Sequence, residues 1–176
     1  MGYNFWFNLV ISKEKEDVFM NYLNNNGSID DTGYIAKVEL DKLSLDYIHC
    51  YYDDNEIQIQ VEIEKKASIG YIFFEKHMND THPDKVAFSF MAATQYLSSL
   101  FRDSESVYRW FIELSNVSNS LLTFIDFEHF GYRIVFHKGK EVNIDIKFDN
   151  QDYDYLNTSQ FKEIMDDYSI LSKILY

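Results

Sequence analysis

Apolar and polar positions alternate along most of the chain with periods that mark out strands and helices. From Tyr3 to Ile11 the sequence is nearly all apolar, broken by Asn4 and Asn8, and it reads as a strand. Ser12 follows as a predicted N-cap, since its side-chain oxygen can accept an orphan N–H of a first helical turn. Val18, Phe19, Tyr22 and Leu23 then form one helical stripe. Asn24-Asn25-Asn26-Gly27 ends it, because Asn and Gly tolerate left-handed backbone. Four strands are predicted next, at Tyr34–Leu40, Leu45–Tyr52, Glu56–Glu64 and Ser68–Glu75. In the third, Ile57, Ile59, Val61 and Ile63 alternate with charged or amide side chains, which puts one face on a core and one in water. Asp53-Asp54-Asn55 predicts a hairpin turn before it.

Pro83 predicts a helix start, because its fixed φ and missing N–H are harmless in a first turn. Val86, Phe90, Ala93, Leu97 and Leu100 recur after it at helical spacing. Ser104 caps a further helix carrying Val107, Tyr108, Phe111, Ile112 and Ser115, and the short join at Arg102-Asp103 predicts a helical hairpin. Strands follow at Leu121–Glu128, Tyr132–His137 and Glu141–Phe148, with a turn at Lys138-Gly139-Lys140. An acidic, Tyr-bearing loop covers Asp149–Asn157, and a last helix from Thr158 carries Phe161, Ile164, Met165, Tyr168, Leu171 and Leu175 on one stripe. Strands in blocks, with helices segregated between them, predict an α+β fold. It has mainly antiparallel sheet of about 7–8 strands in two blocks, packed against about four helices. With no repeat and no Pro/Gly/Ser linker, residues 1–176 read as a single domain. The pattern leaves open whether the two strand blocks share one sheet.

Charge changes the picture from fold to partner. The chain carries 29 acids against 16 bases, a net charge of −13. That disfavours nucleic acid, whose phosphates would be repelled, and an anionic membrane surface. The single cysteine, Cys50, allows no internal disulfide and fits a reducing compartment. No secretory signal and no bilayer-length apolar run is visible, so a soluble, cytoplasmic protein is expected. The acidity is also blocky. Residues 30–64 hold ten acids against two lysines, a net of −8, and residues 141–167 hold eight against two, a net of −6.

Each block interleaves Tyr with carboxylates. Tyr51, Tyr52, Asp53, Asp54 and Glu56 stand in the first; Asp145, Asp149, Asp152, Tyr153, Asp154 and Tyr155 stand in the second. Carboxylates pair with Lys and Arg, and Tyr rings accept guanidinium faces, so these eleven residues are the candidate surface for a basic partner. The plainer reading of the same residues is solvated turns and strand faces.

Residues with the makings of chemistry are scattered. Neighbours on a strand point to opposite faces, so His49 and Cys50 cannot converge as a nucleophile pair. His77 and His82 flank Asp80 without a second ligand cluster, and His129 and His137 flank a hairpin. Asp30-Asp31, Asp53-Asp54 and Asp166-Asp167 lack the spacing of a calcium loop. There is no phosphate-cradling glycine loop and no serine elbow. These residues predict no enzyme, no metal and no cofactor.

The class that fits best is a bacterial immunity protein, which binds a basic, nuclease-like toxin and occludes its substrate site. Two other readings stand beside it. One is a small enzyme or ligand-binding domain built around the scattered histidines. The other is a homo-oligomeric structural or regulatory subunit, which requires the aromatic surplus (15 Phe and 14 Tyr, with aromatics 18% of the chain) to form a large apolar patch.

Overall fold

The near-continuous apolar run at the N-terminus becomes the middle of the molecule. In the computed structural model, Trp6–Ser12 forms β1, whose Phe7, Leu9, Val10 and Ile11 are completely buried. A strand with apolar side chains on both faces needs neighbours on both edges and cover above and below. Residues 4–26, 28–31, 36–39, 44–46, 66–68, 71–92, 95–147 and 159–176 are described.

Among them, β2 (Ser28–Asp31), β3 (Ala36–Glu39), β6 (Tyr71–His77) and β7 (Lys85–Ala92) lie on one side of β1. On its other side lie β8 (Leu122–Asp126), β9 (Gly131–His137) and β10 (Lys140–Lys147). The order is β10-β9-β8-β1-β7-β6-β3-β2, antiparallel at every pairing. The two strand blocks therefore share one eight-stranded sheet, with β1 as the seam. Two short strands, β4 (Ser44–Asp46) and β5 (Lys66–Ser68), pair separately.

Helices cover both faces. On one, α1 (Glu16–Asn26), α2 (Gln95–Asp103) and α3 (Glu105–Val117) bury Phe19, Leu23, Leu100, Phe101 and Phe111 against Phe7, Leu9 and Ile11. Phe7 stacks on Phe111 at 3.9 Å between ring centroids, and Phe19 on Phe88 at 4.0 Å. On the other face, α4 (Ser159–Leu171) and the 3-10 turn Ser172–Ile174 pack on Val10, Leu122, Phe124 and Ile134. There Tyr132 stacks on Tyr168 at 4.0 Å. Much of the aromatic surplus is thus core. Trp110 of α3 is buried edge-on against Phe90 and Phe111.

Three expectations are corrected. Pro83 starts no helix: residues 85–92 are β7, paired with β1 and β6. Val86 and Phe90 are four apart, a spacing that fits a helix and is also two strand periods. The intervening Phe88 lies in the same buried cluster, which decides for the strand. Ser12 makes no side-chain cap bond; a 3-10 turn, Lys13–Lys15, intervenes before α1. The strand expected over Ser68–Glu75 is two strands, since β5 and β6 belong to different sheets. The strand at Glu56–Glu64 and the turn before it fall outside the described residues.

Two irregularities in the sheet decide where side chains on β9 and β10 point. Thr123 pairs with Phe136 but Phe124 with Ile134, so Val135 is an extra residue in β9; β10 carries its own extra residue between Glu141 and Ile144. A bulge of this kind re-aims the side chains beyond it. Val135 and Phe136 both join the α1–α3 core, and His137 turns toward α4. Gly131 begins β9 at φ +120°, where an added Cβ would run into the Ile146 carbonyl oxygen.

Candidate functional site

The sequence contains three arginines, Arg102, Arg109 and Arg133, and all three line one groove. Ser104 builds its upper wall. The Ser104 hydroxyl oxygen accepts from the Val107 N–H at 3.3 Å, which starts α3 one residue after α2 stops. That junction sets Arg102 and Asp103 beside Glu105, Tyr108 and Arg109. The lower wall comes from β9 and β10, with Arg133, Glu141, Asn143 and Asp145. Two adjoining cavities of about 300 and 570 Å³ share Arg102 and Arg133. Phe127, Phe130, Tyr132, Ile146 and Lys147 line the larger.

Each arginine holds a carboxylate and a ring. Arg102 donates twice to Asp103, at 2.6 Å each, with its guanidinium 5.2 Å from the Phe5 ring centre. Arg109 donates to Glu105 at 2.7 Å and to Glu141 at 3.0 Å, beside Tyr108. Arg133 makes a forked pair with Asp145, at 2.6 and 3.1 Å, over Phe127. A planar fork against a carboxylate is geometrically specific as well as charge-assisted. The Tyr108 hydroxyl donates to Glu141 at 2.9 Å; burial, then this bond, pushes it up to about 12. Hydrogen bonding to Glu105 and Glu141 raises the Arg109 guanidinium above its ordinary value. Phe130, at the rim, is 48% exposed.

Of the eleven residues singled out for a basic partner, Asp145 is described, and it is engaged by Arg133 within the sheet. Tyr51, Tyr52, Asp53, Asp54, Glu56, Asp149, Asp152, Tyr153, Asp154 and Tyr155 lie outside the described residues, as do His49 and Cys50. Among the described residues, the first block sets Asp30, Asp31 and Glu39 at the β2–β3 edge, and the second sets Glu141 and Asp145 on β10 at the other edge and Glu163, Asp166 and Asp167 on α4. Seven strand spacings separate those edges, roughly 34 Å at about 4.8 Å each.

Sequence reasoning misses the groove because Glu141 and Asp145 reach Arg109 and Arg133 from remote or shifted positions, and Arg102 is tied only to its chain neighbour Asp103. Only Glu105–Arg109, at helical i,i+4 spacing, is legible directly. A hairpin turning at Lys138-Gly139 would set Arg133 opposite Ile144; the extra residue in β10 sets it opposite Asp145 instead.

The histidines do not converge. Of the four described, His77 alone lines one of these three cavities, a hollow of about 230 Å³ that sets Asn8, Glu75, Ser89, Asp126 and Tyr176 among the apolar Trp6, Met91 and Leu175. The Asp126 carboxyl there is raised by burial, against hydrogen bonds from the Glu128 N–H and the Tyr176 hydroxyl. His137, at the end of β9, is buried against Asp167 of α4 at 2.7 Å. Burial would raise the Asp167 carboxyl, but hydrogen bonds from Lys138 and His137 hold it below its ordinary range.

Compared with protein-family models, curated proteins and solved structures, the chain matches none. No helix among the described residues is long and apolar enough to cross a membrane.

Proposed function

We propose that this chain is a protein-binding module for a basic protein partner, of the kind a bacterial immunity protein provides against a cationic toxin. The supporting observation is the groove. It gathers all three arginines with Tyr108 and exposed Phe130 beside Glu141 and Asp145 of β10. Arg, Tyr and Phe are the residue types that protein interfaces enrich, and Arg and Tyr dominate hot spots.

Attraction and docking divide between two scales. The net charge of −13 steers a cationic partner over long range. The groove itself is balanced, with Arg102, Arg109, Arg133 and Lys147 set against Asp103, Glu105, Glu141 and Asp145. A partner lysine or arginine can compete for these carboxylates, the displaced, exposed Arg109 turning to water or to a partner carboxylate, while Phe130 and Tyr108 supply apolar anchorage. Recognition is therefore assigned to the groove beside β10, not to a single face formed by both acidic blocks. No catalytic step is assigned.

Kinetics with the purified partner test this. The association rate is expected to fall by on the order of tenfold or more from low to high salt. Dissociation should change much less. An association rate independent of salt would contradict the steering role.

The reading built on scattered histidines finds less support, since these three cavities together hold one histidine.

A further inference from the structure

On the face of the sheet opposite α1–α3, β9 meets α4 in a cluster of a different kind. His137 Nε2, a Glu163 carboxylate oxygen and an Asp167 carboxylate oxygen all lie within 4.8 Å of one another. Glu163 and Asp167 stand one helical turn apart, on the same side of α4. His137 reaches them only because the extra residue in β9 reverses its alternation: continued from Tyr132 and Ile134, regular pleating would turn Phe136 toward α4 and His137 away. The imidazole is held with 8% of its side chain exposed, its Nε2 2.7 Å from Asp167 Oδ2. Between the two carboxylates sits a cation already. Lys138 Nζ is 2.9 Å from Glu163 Oε1 and 2.7 Å from Asp167 Oδ2.

We propose that His137, Glu163 and Asp167 form a divalent-cation site of the zinc type, and that the Lys138 ammonium is its built-in competitor. The donor set argues for zinc over calcium or magnesium, which prefer all-oxygen shells. One imidazole nitrogen and two carboxylate oxygens leave a fourth tetrahedral position open. Tetrahedral ligands about 2.0–2.2 Å from zinc stand roughly 3.4 Å apart, so the three atoms need only small side-chain rotations to close on an ion. The competitor is easily displaced. Lys138 is half-exposed, on a long stem at the tip of a tight turn with φ 44°, and its ion pairs can break without moving the sheet. Lysine and zinc thus neutralise the same two carboxylates in alternation. The binding balances: the ammonium leaves into water, the Nε2 proton that Asp167 accepts is given up to solvent while Nδ1 carries the imidazole proton, and the freed Nε2 lone pair ligates. The site shares no residue with the groove.

The test is a zinc titration of the full chain by calorimetry, with the His137 ring followed by NMR. Wild type should bind one zinc at this site and shift the His137 ring signals. Lys138→Gln should bind about threefold to tenfold tighter, having no exposed ion pairs to break. Asp167→Asn and Glu163→Gln, checked for folding by circular dichroism, should each weaken binding about tenfold or more. The proposal is overturned if neither wild type nor Lys138→Gln binds zinc at millimolar concentration. It is equally overturned if binding survives both carboxylate substitutions with the His137 ring undisturbed, which would place the ion on other surface ligands. Unchanged affinity in Lys138→Gln would remove the competitor.

Discussion

At the scale of single residues, two positions carry consequences beyond their neighbourhoods. Gly131 holds φ +120°, a conformation that L side chains rarely adopt, and its missing Cβ makes room for the Ile146 carbonyl. Gly131→Ala should cost about 3 kcal/mol or more, through strain together with loss of the β9–β10 pairing. Urea denaturation measures it, and a cost below about 1 kcal/mol would contradict the close approach. Asp126 is the second position. Its carboxyl is raised above the unfolded value, so its stabilising contribution is full below the unfolded pKa and fades as pH rises through the folded pKa. Asn cannot ionise, and its side-chain oxygen can still accept from the Glu128 N–H. The stability of Asp126→Asn relative to wild type should therefore improve from about pH 3 to about pH 7. A flat or opposite trend would mean that burial does not dominate there. Neither feature is legible in the sequence: Gly131 looks like the margin of a strand, and Asp126 like one more acid in an acidic chain.

At the scale of elements, legibility follows locality. β1 is visible as an apolar run, the β9–β10 turn as Lys-Gly-Lys, and the start of α3 as Ser104. Each signal is complete within a few residues. Ser104→Ala should accordingly destabilise the protein by about 1 kcal/mol, read from the same denaturation curves, because the Val107 N–H loses its acceptor. No change would mean that the cap is redundant. β7 reads as a helix because Val86 and Phe90 satisfy two periods at once, and because Pro83 serves a turn as well as a helix start. The bulges are invisible for another reason. A one-residue insertion in β9 or β10 has no composition of its own, yet it decides that His137 meets Asp167 and that Arg133 meets Asp145. The fold class is thus written in local pattern, while the sites depend on register.

At the scale of the whole molecule, charge and aromatic content separate into different jobs. Much of the aromatic surplus builds the two cores, leaving Tyr108 and Phe130 among those at the groove. The described acids of the two blocks are spread over the β2–β3 edge, β10 and α4 of a sheet roughly 34 Å across, which suits long-range attraction better than a single contact patch. No pattern along the chain gathers Arg102, Arg109 and Arg133, because α2, α3 and β9 meet only after β1 has joined the two strand blocks. The most direct test is affinity capture from the producing cells, with wild type beside a Phe130→Ala/Arg109→Ala variant. Both substitutions lie on exposed side chains and should leave the fold intact. The predicted result is a basic protein held by wild type, released by salt, and reduced about tenfold or more on the variant. Capture of that same protein equally well by the variant, or of no protein but the chain itself, would contradict a partner site in the groove.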